Sequence, residues 1–316
     1  MRGFFGAAAV AGILTTAAWG GEAKGTGTAG DLRKLFDGFK FTEGVAPDRE
    51  GNVYFTDLNN NRIHKVDADG KLSTFLEDTK GCNGLMVDGG RLLCAQRDEG
   101  RVISIDRVTK AITVVADKIE GTRFIGPNDL VVDKQGGVYF TDPRFPSTPP
   151  GGQEKQGVYY APIDGAVVRL ADDLSRPNGI LLSPDEKTLY VFPAGVPEMM
   201  AYPVLGPGKI GPGRVFCKLD QVEGKTPRGG DGAAMAKDGT LYITQPDLEA
   251  IQVVTPSGKT VGHIKLPGRP TNAKFGGKDL KTLFITLHVR DEKNTVTEAF
   301  LYALPMKTKG HRYGKK

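Results

Sequence analysis

A chain of 316 residues that is 39% hydrophobic and 25% charged carries enough apolar mass for a full core, which excludes a disordered or low-complexity polymer. Its 43 glycines and 20 prolines imply many short connections and favour β-rich architecture over long helices. The formal net charge of +5 is spread along the chain and concentrates only in residues 306–316, with no nucleic-acid motif or basic stripe beside it, so nucleic acid is not an expected partner.

The chain opens with Arg2 ahead of an apolar run over residues 4–19, followed by the small residues Gly20, Gly21 and Ala23. That is the layout of a cleavable secretory signal over residues 1–23. The run is short for a spanning helix, which needs about 20 apolar residues. No cysteine near the junction offers a lipid attachment point, so no stable membrane anchor is expected. These features predict a periplasmic or secreted protein with residues 24–316 as a single domain. The three cysteines, Cys82, Cys94 and Cys217, are an odd set without CxxC or metal-site spacing. Buried free thiols are the expectation, with Cys82 and Cys94 on neighbouring strands as a less favoured pair.

Self-comparison shows a pattern that recurs six times. It starts with an acid or amide and a small or apolar follower, runs to an Asp-Gly type turn, and ends in a strand containing Tyr or Phe. The first copy reads Glu43-Gly44-Val45, Asp48, Gly51, then Val53-Tyr54-Phe55-Thr56-Asp57. Its near twin reads Asn128-Asp129-Leu130, Asp133, Gly136, then Val138-Tyr139-Phe140-Thr141-Asp142. The others start at Asn83, Asn178, Asp231 and Asn272, so successive starts lie 40, 45, 50, 53 and 41 residues apart. Outer hairpins are visible too, as where residues 62–67 turn at Asp69-Gly70 into Leu72. Four strands per unit at this period predict an all-β protein, a six-bladed β-propeller of four antiparallel strands per blade. The proline-rich stretch 143–152 reads as a long loop inside the third unit.

In a propeller, equivalent positions lie on a ring around the axis. Glu43, Asn83, Asn128, Asn178, Asp231 and Asn272 therefore converge at the channel mouth. Two carboxylates among amide oxygens make a hard, all-oxygen ligand set, which points to Ca²⁺ ahead of Mg²⁺, Mn²⁺ or Zn²⁺. The histidines His64, His263, His288 and His311 fall on outer strands, strand ends or the tail, and no HExxH occurs. A nucleophile elbow GxSxG is absent. The literal GxGxxG at Gly206, Gly208 and Gly211 is interrupted by Pro207 and Pro212 and reads as a β-turn. The EF-hand-like start Asp57-Asn59-Asn61 fails at Arg62 and Ala68.

Taken in order, Glu43-Gly44-Val45, Gly126-Pro127-Asn128-Asp129-Leu130, Tyr139-Phe140-Thr141-Asp142-Pro143, Arg176-Pro177-Asn178-Gly179-Ile180 and Asp231-Gly232 resemble the SMP-30/gluconolactonase family of calcium-dependent lactonases, its bacterial branch in particular. The resemblance implies metal-assisted hydrolysis of a lactone, gluconolactonase-like, from sugar lactone to aldonic acid. It implies Glu43, Asn178 and Asp231 as metal ligands, Asn128 as a further ligand or substrate contact, and Asp231 as catalytic base. Asp129 is a fallback base. Some relatives carry a substrate-holding arginine two residues before the position of Asn128; here Gly126 stands there, and Arg123 is the nearby substitute. Loops 143–156 and 192–202 are expected to wall the pocket, with Val196, Pro197, Met199 and Met200 making it partly apolar. The alternatives are a non-catalytic, metal-stabilised propeller that binds a sugar or protein, and a paraoxonase-like esterase.

Overall fold

The computed structural model describes residues 25–314, so the expected signal segment lies outside the described residues. The repeat becomes six antiparallel sheets arranged as blades around one axis. In blade 1, Thr42–Pro47 runs innermost, followed outward by Val53–Asp57, Arg62–Val66 and Leu72–Glu77. The innermost strands of the next four blades are Cys82–Asp88, Leu130–Val132, Pro177–Leu182 and Ala233–Met235. Blade 6 uses Arg269–Gly276, Thr282–Arg290 and Val296–Pro305, and takes its outermost strand, Arg33–Phe39, from the start of the described chain. This closure by an N-terminal strand was not read from the sequence. Gly206 and Gly211 lie around a hairpin formed by Glu198–Gly206 and Lys209–Ile210, as their turn chemistry implied.

The second strand of each blade explains the recurring Tyr/Phe segment. Val53–Asp57 and Val138–Asp142 are buried along their whole length because each blade packs face to face against both neighbours. Such a strand reads as a continuous apolar run instead of an alternation. The packed faces fuse neighbouring blades: one core cluster joins Met86 and Leu93 of blade 2, Tyr139 and Tyr160 of blade 3, and Ile180 and Val191 of blade 4. The threonine of the motif ties blades together by polar contacts. Thr56 Oγ1 donates to the Asn83 carbonyl at 3.1 Å, and Thr141 Oγ1 to that of Asn178 at 2.6 Å. The closing aspartate holds the loop that leads into the innermost strand: Asp142 accepts from the N–H groups of Ile125 and Gly126 at 2.9 and 2.7 Å.

The basic tail is part of the fold. Gly310 bridges to Ala236, and Tyr313 Oη donates to the Leu182 carbonyl at 2.6 Å, so the tail closes the channel at the end away from Glu43. Among the described residues no helix is long and apolar enough to cross a membrane.

One expectation is overturned. Cys82 and Cys94 form a disulfide, leaving Cys217 as the buried free thiol. The strands pair with a register shift between Cys82 and Leu85 that sets Cys82 diagonally across from Cys94. Closing a loop of sequence separation 12 is worth about 2–3 kcal/mol through the unfolded chain. Both sulfurs are fully buried, so a reductant acts only after opening. Thermal melts with dithiothreitol should show a midpoint about 5 °C lower than without it. An unchanged midpoint would mean that the bridge adds no stability.

Candidate active site

The starts of the innermost strands converge as the repeat requires. Glu43, Asn83, Asn128, Asn178 and Asp231 line one cavity of about 610 Å³ at the mouth of the channel. The glycine that follows most ring residues has a steric cause. A Cβ on Gly44 would stand 2.0 Å from the Asn83 carbonyl oxygen, and one on Gly179 would stand 2.2 Å from that of Asp231. At Gly44, Gly84 and Gly179 the chain therefore rests against the backbone of the next ring residue, where glycine permits the approach.

Asn272 is the exception. It does not line the cavity; its Oδ1 accepts from the Ala273 N–H at 2.9 Å, and its side chain lies close to those of Glu43 and Asp129. Asp129 also sits below the cavity wall, with Oδ1 taken by the Leu130 N–H and Oδ2 buried without a hydrogen-bond partner. Lys274 shares this layer; its Nζ donates to the Ala233 carbonyl at 2.7 Å and it opposes the charge of Asp129 and Glu43.

The electrostatics are those of acids crowded together out of water. Burial pushes Glu43 well above the usual carboxylate range; the charges of Asp231 and then Asp129 push it the same way, against one hydrogen bond from the Gly44 N–H at 3.0 Å. Asp231 is only partly buried, yet burial followed by the charge of Asp129 raises it to about 7. The nearby Asn178 side chain opposes the rise, while the Asn178 Oδ1 is buried with no donor. An unpartnered amide oxygen beside two carboxylates that resist ionisation is the environment a divalent cation relieves. Glu43, Asn178 and Asp231 thus fit an oxygen-coordinated ion, with Asn83 and Asn128 at the same level. Among the described residues no three His, Cys, Asp or Glu side chains cluster as a metal site, so an ion here would be held by two carboxylates with amides.

Other expected residues lie elsewhere. Arg123 does not line the cavity: Nη1 donates to the Phe124 carbonyl at 3.0 Å and Nη2 to that of Pro150 at 2.7 Å, which braces loop 143–156. Of that loop, Phe145, Pro146 and Ser147 reach the cavity, whereas the second expected wall contributes Ala194 and not Val196, Pro197, Met199 or Met200. Met199 is fully buried in the core between blades 4 and 5. The upper wall is cationic instead, built by Arg97, Arg176, Arg228, Arg269 and Arg290. His288, one of the four histidines expected on outer strands, strand ends or the tail, also lines it. A signal existed: the residue one past the motif aspartate, or its equivalent, faces the cavity in five blades, as Leu58, Arg97, Ala194, Pro246 and His288.

A family model described as the SMP-30/Gluconolactonase/LRE-like region matches residues 41–289. A gluconolactonase of Zymomonas mobilis is 31% identical over 277 residues, covering 78% of this chain and 76% of that protein. A 6-deoxy-6-sulfogluconolactonase of Pseudomonas putida is 28% identical over 241 residues, 75% of this chain and 79% of its own. Among solved structures, a gluconolactonase of Xanthomonas campestris superposes with a TM-score of 0.75 at 29% identity, over 89% of this chain and 91% of that one. A regucalcin of Agrobacterium tumefaciens, 21% identical, shares the fold with a TM-score of 0.72 over 91% and 97% of the two chains. The propeller fold and the lactonase relatives define an enzyme of the lactonase class. The chain belongs to the SMP-30/gluconolactonase family.

Proposed function

We propose that this protein hydrolyses a sugar-type lactone at the acid–amide ring with the help of a divalent cation, Ca²⁺ by the chemistry of the donors. Lactone hydrolysis in general rests on family membership and on the lactonase relatives. The observation that carries the cation is the convergence of Glu43, Asn178 and Asp231 on one cavity, with the Asn178 Oδ1 buried and unpartnered. When bound, the ion supplies Lewis-acid polarisation of the lactone carbonyl and a counter-charge for the two acids. The chain's own residues do the rest. The Asn178 side chain orients Asp231, whose carboxylate takes a proton from the attacking water as its oxygen bonds to the carbonyl carbon. The ring C–O bond then breaks, and the proton passes to the departing ring oxygen, leaving a hydroxy acid. Glu43, fixed by the Gly44 N–H, stays a ligand because burial keeps it from free water. Asn83 and Asn128 present amides to the substrate's oxygens.

The test is a pH-stat panel of sugar, aliphatic and aromatic lactones, with and without chelator. Ca²⁺-dependent opening of the sugar lactones is expected. A panel in which no lactone opens faster than in buffer would leave only a binding propeller.

We also infer export to the periplasm or medium, supported by the apolar run after Arg2 and by the Cys82–Cys94 bridge, which suits an oxidising compartment. Mass measurement on protein from its own host should find a chain cut near residue 23; an intact start would reject this.

A further inference from the structure

We propose that the wall formed by Arg228, Arg269, Arg290 and His288 binds an anionic substituent of the lactone, a carboxylate, sulfonate or phosphate held away from the carbonyl being opened. The proposal rests on the lactonase reading and names its substrate class. These four side chains line the same cavity as Glu43 and Asp231, on the side of blades 5 and 6. They are near neighbours: Arg269 and His288 face each other across two paired strands, and the Arg290 Nε donates to the His288 Nε2 at 2.9 Å.

The ring acids Glu43 and Asp231 share the cavity, and the charge of Arg269 opposes the rise of Asp231, but among the described residues neither acid forms a salt bridge with this wall. Among the described residues Asp247 alone forms salt bridges with this group, meeting Arg269 and, at 3.6 Å, Arg228. Arg290 has none; its Nη1 donates to the Asn294 carbonyl at 2.9 Å. Elsewhere Arg62, Arg91 and Arg107 each meet at least one carboxylate of their own.

Unmet hydrogen bonds point the same way. His288 is only 3% exposed, and because its Nε2 accepts from Arg290, the neutral ring carries its proton on Nδ1. That Nδ1 is buried without a protein acceptor, as is the Arg269 Nε. Burial, with the charges of Arg290 and then Arg269, holds the imidazole down to about 3, so it remains a neutral donor. The guanidinium groups of Arg228, Arg269 and Arg290 line the cavity, and planar forks of this kind suit oxyanions.

The neutral substrate for the test is glucono-1,5-lactone, and the anionic ones are its 6-phosphate, its 6-deoxy-6-sulfonate and glucarolactone, which carries a carboxylate. Wild type should favour at least one anionic lactone by about 10-fold or more in kcat/KM, through KM, and the best arm identifies the anion. Arg290→Gln and, in the exposed loop, Arg228→Gln should each lower kcat/KM on that lactone by about 10- to 100-fold, the size of one charged hydrogen bond. Both should change the neutral substrate by about 3-fold or less. Equal losses on both substrate classes, or a wild type that prefers the neutral lactone, would overturn the proposal. Should no lactone open, the lactonase reading itself fails, and calorimetry with 6-phosphogluconate, which needs no turnover, decides the anion site: binding weakened in Arg290→Gln supports it, and no binding to wild type rejects it.

Discussion

Asp231→Asn is expected to lower kcat for lactone opening by about 1,000-fold, within the range for losing a general base. The substitution keeps the shape of the side chain, so the strand start and its contact with Gly179 persist. It removes one of the acids that raise each other's proton affinity in the channel, so the metal-free variant should melt no lower than wild type. The loss of a ligand charge should also weaken cation binding. The two effects separate on titration with Ca²⁺: when the site is saturated, kcat must remain low, because asparagine cannot take a proton from water. Recovery of wild-type kcat at high Ca²⁺ would make Asp231 a ligand only and move the base elsewhere, with Asp129 next in line.

Glu43→Gln should produce the opposite division. Glu43 is buried and anchored by the Gly44 N–H, so its expected contribution is charge. Replacing it with a neutral isostere should weaken Ca²⁺ binding by about 100-fold, since ligand charge sets affinity in oxygen sites. Turnover should return towards wild type once enough Ca²⁺ is added. The metal-free variant should be as stable as wild type or more so, because an acid that burial drives towards protonation has been removed. A fall in stability of the metal-free form, with unchanged Ca²⁺ affinity, would make Glu43 a structural residue. Calorimetric titration and thermal melts on the same samples distinguish the two.

These expectations rest on positions that were legible before the structure. Glu43, Asn83, Asn128, Asn178 and Asp231 could be placed together because the repeat has a phase, and a residue at a fixed phase of a propeller blade faces the axis whatever the spacing of blades. Asn272 holds the same phase but does not line the cavity, and its Oδ1 is taken by the Ala273 N–H beside Glu43 and Asp129. The upper wall was not legible. Arg228 and Asp247 lie in segments that differ from blade to blade, and Arg290 and His288 belong to a second strand that continues past the point where Val53–Asp57 and Val138–Asp142 stop. Extending the self-comparison by one residue would have found His288. Arg123 misled because nearness in sequence to Asn128 was taken for nearness in space; the short hairpin Lys118–Ile119 and Thr122–Arg123 directs it to the carbonyls of Phe124 and Pro150 instead. The disulfide was discounted on the parity of three cysteines, a count that still allows one bridge. The closing strand Arg33–Phe39 stayed hidden because it is mostly exposed and carries neither the motif nor its turn.

The decisive measurement is anomalous diffraction from crystals soaked in Ca²⁺ or Mn²⁺. A single strong peak is expected about 2.3–2.6 Å from oxygens of Glu43, Asn178 and Asp231. An active protein whose ion sits elsewhere, with those three side chains touching only one another, would contradict the account.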